Sequence, residues 1–228
     1  MAKFLKYFTN ITDRQSYETS NDYLEPYVSV IKQNGGEVSG IHYNLVPDII
    51  LTMNDSSVKK LYRMSRLDGI SLFTDVPNID VGNITDIQLS DKITEINHIS
   101  GFLNLKSITI PDSVTTIESS VFNTCSSLLS ITIPASIKRI EDYAFSTCMS
   151  LSSVTLTDSI TYIDGTAFQF DDNIHELKII GKKDISNLLP SELTNNLVNL
   201  YVDASLVETY KTYRYSIGKT FEVKPLQQ

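Results

Sequence analysis

A chain of 228 residues with 41% hydrophobic side chains is long and apolar enough to bury a real core, which argues against a disordered polymer. Its 27 acidic against 19 basic side chains leave a formal charge of -8 and no basic stripe, so a nucleic-acid partner is not expected. The amino end has two lysines, Lys3 and Lys6, without an apolar run behind them. No stretch reaches bilayer-spanning length, so neither an export signal nor membrane insertion is expected.

In chain order, the first segment places Phe4, Tyr7 and Phe8 close together where little core is available, making them candidates for docking on another subunit. Residues 25–31 and 37–44 read as two strands joined at Asn34-Gly35-Gly36, a turn sequence, and so predict a hairpin. That Asn-Gly-Gly lacks the Lys-Ser/Thr that a phosphate loop requires. A strand is predicted over 47–53, then a short helix over 56–67, with Asp55 as its cap and Gly69 as its stop. Residues 1–80 do not repeat and are expected to form a small β-rich module for attachment or oligomerisation.

From residue 84 the chain repeats itself. Leu105, Leu128, Leu151, Ile174 and Leu197 stand 23 residues apart at every step. Leu105-Lys106-Ser107-Ile108-Thr109-Ile110-Pro111 is nearly the same heptad as Leu128-Leu129-Ser130-Ile131-Thr132-Ile133-Pro134, and Leu151-Ser152-Ser153-Val154-Thr155-Leu156 follows suit. Further columns hold Ile117, Ile140 and Ile163, then the pairs Val121-Phe122, Ala144-Phe145 and Ala167-Phe168. Apolar residues at the first, fourth and sixth places describe a bend and then a strand with one buried face. No single unit can enclose that row, so the units are expected to stack about 4.8 Å apart as a solenoid with a parallel sheet. The first rung, 84–104, is two residues short. The rung after Ile174 changes to helical spacing at Ile185, Leu188, Leu189 and Leu193. From about 197 a strand, a short helix over 206–213 and a closing strand near 220–223 read as a cap. The tyrosines Tyr201, Tyr210, Tyr213 and Tyr215 cluster in that cap, where packing explains them better than contact with a partner.

These columns resemble the BspA-like leucine-rich repeats, whose phrase runs Leu-x-Ser-Ile-x-Ile-Pro-x-Ser-Val-x-x-Ile-x-x-x-Ala-Phe-x-x-Cys-x-Ser. It occurs almost complete at 105–127 and 128–150, and again with Thr157 in place of proline and Asp171 in place of cysteine. The resemblance implies a mainly β solenoid with short helical turns, divided as 1–80 and 81–228, and a surface or adhesion role without catalytic residues. The segment around Pro26-Tyr27-Val28-Ser29 and Tyr43-Asn44 resembles the lead segments of virion proteins from phages of gut anaerobes. That likeness implies a non-enzymatic phage virion component, on head or tail, contacting other virion proteins, self-associating through its first module, and meeting a host surface protein or glycan. The alternative is a bacterial cell-surface adhesin.

Residues that could carry chemistry have plainer readings. Cys125 and Cys148 share a column and suit small buried fillers, although a disulfide is geometrically conceivable. His42, His98 and His175 have no paired spacing, no serine lies in Gly-x-Ser-x-Gly, and neither a metal nor a cofactor is expected. Regular rungs are expected to leave no cleft for a pair of catalytic carboxylates. The candidate binding face is the outward row Ser107, Thr109, Ser130, Thr132, Ser153, Thr155, Glu176 and Lys178. It continues outward from Asp86 and Gln88 to Asn199 and Tyr201. Such residues are also ordinary for the wet face of a sheet.

Overall fold

The computed structural model describes residues 5–8, 28–32, 38–43, 49–61, 66–68 and 80–227, with side chains described in 49–58 and 80–227. Strand β1 (Leu5–Phe8) runs parallel to β2 (Val28–Lys32), which pairs antiparallel with β3 (Val38–Tyr43). Val28 faces Tyr43 and Val30 faces Ile41, the hairpin that the sequence predicts; its Asn34-Gly35-Gly36 turn lies outside the described residues.

Strand β4 (Ile49–Met53) is where the chain joins the solenoid. Its alternating burial sends Ile49, Leu51 and Met53 into the core, and it pairs antiparallel on both edges, with β5 (Val58–Leu61) and β7 (Ile84–Leu89). The helix expected over 56–67 does not form. Val58–Leu61 is β5, and Arg66–Asp68 is strand β6, parallel to β8 (Glu95–Asn97). The Asp55 carboxylate accepts the Ser57 N–H at 2.9 Å, a local bond that serves a helix cap or a tight turn equally well. Ser56 in the left-handed region (φ 65°) and the Met53 N–H to Ser57 carbonyl bond at 2.9 Å make it a turn, and β4 offers the returning strand a ready edge. Pairing of β4 with β7 and of β6 with β8 therefore crosses residue 80.

Each regular rung contributes a strand to two sheets. On one side lie β9 (Ser107–Thr109), laddered to β7, and then β11 (Ser130–Thr132), β13 (Ser153–Thr157) and β15 (Glu176–Ile180), each laddered to the next. On the other lie β10 (Thr116–Ile117), β12 (Arg139–Ile140) and β14 (Tyr162–Ile163). Ladder partners are 23 residues apart, as in Ser130 with Ser153, Ser153 with Glu176 and Ile117 with Ile140. In the short first rung the step is 21, Asp86 facing Ser107. The repeated columns form the core: Leu105, Leu128 and Leu151, then Phe122, Phe145 and Phe168, are all fully buried. The three Phe rings stack with centroids 5.2 Å apart and planes within 10°, close to the rung spacing.

After β15 the expected helical stretch is broken into a 3-10 turn (Ser186–Leu188) and α1 (Ser191–Thr194). Pro190 keeps Leu189 extended (ψ 116°), since the residue before a proline avoids helical backbone. Ile185, Leu189 and Leu193 still reach the core, Leu188 half so. Strand β16 (Asn199–Val202), a 3-10 turn (Ala204–Leu206), α2 (Val207–Ser216) and β17 (Glu222–Pro225) complete the cap, with β17 extending the parallel sheet. Tyr210 is fully buried in this cap. Its hydroxyl accepts the Ile185 N–H at 3.1 Å, and its ring meets Tyr213 edge-on at 6.2 Å.

Candidate functional site

The outward residues of the first sheet do form a row. Ser153, Glu176, Asn199 and Glu222 stand side by side in register, and beside them Thr155, Lys178, Tyr201 and Lys224. The row changes character along its length. Toward the cap it is a charged network: Ser153 donates to Glu176 Oε1 at 3.1 Å, Lys178 Nζ lies 3.0 Å from the same oxygen, and Lys178 also sits 5.8 Å from the Tyr201 ring. The Lys178 bond, helped by Ser153, holds the Glu176 carboxyl below the usual carboxylate range. Lys224 continues the chain of contacts, donating to Asn199 Oδ1 at 2.7 Å and pairing with Glu222 at 2.6 Å.

Toward the first rung the row is uncharged through Thr132, Ser130, Thr109 and Ser107, with Asp86 beyond accepting from the Ser107 hydroxyl, and there the sheet is interrupted. Among the described residues, β9 pairs with β7 and β11 with β13, but no ladder joins β9 to β11. A crevice of about 270 Å³ occupies this break, lined by Ser107, Ile108, Thr109, Ile110, Ser130, Thr132 and Pro134. Four of the eight predicted face residues thus come together around a concavity, while Ser153, Thr155, Glu176 and Lys178 lie further along the flat ladder. Sequence reasoning missed Ile108, Ile110 and Pro134, because the near-identical heptads at 105–111 and 128–134 carry no mark of an opening between them.

The second sheet is interrupted one rung earlier, between β8 and β10. A concavity of about 590 Å³ lies there, lined by Glu95, Asn97, Thr115, Thr116 and Glu118 among others. The expectation that the rungs leave no cleft is therefore corrected: the 105–127 rung keeps its first-sheet ladder with the short rung before it and its second-sheet ladder with the rung after it, and a concavity lies at each ladder it lacks. Glu95 and Glu118 are both exposed.

The remaining suggestive residues are structural. Cys125 and Cys148 are free and buried, and donate to the carbonyls of Ile99 at 3.3 Å and Phe122 at 3.2 Å. Burial pushes the Cys125 thiol up to about 12 and that of Cys148 higher still, so neither is a ready nucleophile. Asp171 takes the next place in that column. Its Oδ1 accepts the Cys148 N–H at 2.6 Å, its Oδ2 has no partner, and burial raises its pKa to about 8. His98 lies in a left-handed turn (φ 52°), and the His175 ring is engaged by the Asn173 carbonyl. Among the described residues, no three His, Cys, Asp or Glu side chains are grouped to hold a metal. No described helix is long and apolar enough to cross a membrane. Phe4 lies outside the described residues; Tyr7 and Phe8 lie on β1, opposite Val30 and Ile31 of β2.

Residues 79–198 match the BspA type leucine rich repeat region in six copies, more than half of the chain. The chain belongs to this family. Among solved structures, this BspA-type repeat protein is similar to a leucine rich cell surface protein from Faecalibacterium prausnitzii, at 26% identity and TM-score 0.45 over 48% of this chain and 29% of that one. It is also similar to the pneumococcal vaccine antigen PcpA, at 16% identity and TM-score 0.48 over 64% and 36% of the two chains. A leucine-rich repeat protein from Bacteroides ovatus matches at 15% identity and TM-score 0.33, over 88% and 66%. The chain thus spans about a third of the length of the first two. No curated protein matches it.

Proposed function

We propose that this BspA-type repeat protein is a non-enzymatic binding module displayed on an outer surface, gripping a protein or glycan through the outward row of its first sheet. The observation that carries the reading is the crevice between β9 and β11. Thr109, Ser130 and Thr132 supply hydroxyls that both donate and accept, Ser107, whose hydroxyl donates to the Asp86 carboxylate, supplies an acceptor, and Ile108 and Ile110 supply an apolar wall. The family's repeats and the cell-surface description of the Faecalibacterium protein support an exposed setting.

Within that reading, carriage on a phage virion is supported by the likeness of residues 25–44 to virion lead segments and by the β2–β3 hairpin they form. The first residues would then contact other virion proteins or further copies of the chain. A bacterial cell surface is the alternative carrier. Mass spectrometry of purified particles and fractionation of cell envelopes distinguish the two by where the protein is found. Binding itself is tested with bacterial cells and a glycan array, using the wild type and a Thr109→Lys/Thr132→Lys double variant. The variant is expected to lose adherence with an unchanged melting temperature, and retained adherence would remove the row from the account.

A further inference from the structure

A different surface stands out on the turns that close each rung. The residue just before the cysteine column takes a left-handed conformation in three successive rungs, at Thr124 (φ 61°), Thr147 (φ 63°) and Phe170 (φ 65°). The turn dictates that backbone, and the first two rungs meet it with threonine. A phenylalanine there suffers two penalties. Bulky side chains avoid this region, and because Phe170 is 65% exposed its burial offsets little of the strain. Strain combined with exposure points to a role outside the fold.

Two apolar residues on the adjoining turns share its exposure, and Tyr143 also its left-handed backbone (φ 54°). Met149 is 58% exposed where the preceding rung has Ser126, and Tyr143 is 39% exposed where it has Ser120. Hydrogen bonds between the rungs set the turns that carry the three side by side. Thr147 N–H donates to the Gln169 carbonyl at 2.9 Å, Asn173 Nδ2 to the Met149 carbonyl at 2.5 Å, and Tyr143 N–H to Thr166 Oγ1 at 3.4 Å. The surrounding charge has one sign. Glu118, Asp142, Asp164 and Asp172 belong to the same turns, whereas the only Lys or Arg between Lys106 and Lys178 are Lys138 and Arg139. Arg139 is itself engaged, 2.7 Å from Glu141 and 4.2 Å from the Tyr162 ring.

We propose that Tyr143, Met149 and Phe170, framed by these carboxylates, dock a basic amphipathic helix of a partner protein. Aromatic faces and carboxylates both attract Lys and Arg, and Met149 receives an apolar residue from the same helix. The acidic frame repels anionic lipid surfaces, so the occupant is a protein segment and not a membrane. This surface is separate from the outward row of the first sheet, and either can fail without the other.

The test uses the full chain and a synthetic helical peptide of alternating Lys and Leu positions, with its Glu/Leu counterpart and phosphatidylglycerol vesicles as controls. Each variant installs the residue found in the preceding rung, which that turn already tolerates: Phe170→Thr, Met149→Ser and Tyr143→Ser. Calorimetry should show binding of the Lys/Leu peptide only, weakening with added salt and falling about tenfold or more in Phe170→Thr, as for an exposed aromatic anchor. The melting temperature of that variant should be unchanged or raised. The proposal is overturned if Phe170→Thr melts lower with affinity intact, if the Thr109→Lys/Thr132→Lys variant abolishes peptide binding, or if vesicles bind better than the peptide.

Discussion

The regular rungs, 105–173, and the short rung before them use the same columns yet behave differently. Between β11, β13 and β15 every strand finds its partner 23 residues on, so the Phe stack and the Leu column run without a step. The 84–104 rung is shaped by β4 and β6, which approach from outside the repeat; among the described residues its β7 pairs on both sides, with β4 and β9, whereas its β8 pairs with β6 alone. A repeat array is therefore most uniform where each rung has a like neighbour on both faces, and concavities arise where a rung must satisfy two unlike ones. Here the two concavities flank the 105–127 rung, one on each side, and half of the candidate binding face lies at the second of them.

The comparison is broken most forcefully by removing a ring from the stack. Phe145→Ala is expected to cost about 3–5 kcal/mol in denaturant unfolding, because its cavity is walled by two rungs that cannot collapse independently. Tyr210→Phe probes the cap instead and should cost about 1–3 kcal/mol, since it strands the buried Ile185 N–H. A cost indistinguishable from zero would show that the cap supplies that N–H with another acceptor.

Asp171 sharpens the contrast within the regular rungs themselves. Its folded pKa of about 8 lies above the ordinary value of 3.8, raised first by burial and, to a lesser degree, by Asp172 nearby. The stabilising neutral form is thus fully present below about pH 4, and its contribution is lost as pH rises through about 8. Asp171→Cys, which restores the column residue, should flatten the stability profile between those limits and be more stable than wild type at pH 8. An unchanged profile would place the pH dependence elsewhere. The smallest effect is expected at the junction: amide hydrogen exchange should be faster in β9 than in β13, while Ser130→Ala changes stability by no more than about 0.5 kcal/mol. Equal protection of the two strands would mean that the crevice closes in solution.

Much of this was legible in the residues. The columns at Leu105, Leu128 and Leu151, the alternation inside each heptad and the hairpin at 28–43 are local patterns whose consequences are fixed by backbone geometry. The helix expected after Asp55 failed because the same Asp55–Ser57 bond is compatible with a turn, and the edge of β4 decided between them. Phe170 carried a faint signal, since it breaks a column that holds Gly101, Thr124 and Thr147 in the rungs before it. The crevice carried none.

By itself the sequence determined the rung length, the buried face and the residues that point outward, because side-chain alternation and a fixed repeat leave a stacked coil as the way to cover every apolar row. Only the tertiary structure decided that β4, β5 and β6 join the first sheets, that the ladder opens between β9 and β11, and that Tyr143, Met149 and Phe170 are exposed on adjacent turns. Those outcomes depend on how unlike rungs fit together, and fit between non-identical neighbours is a property of the assembled backbone, which no single column of residues encodes.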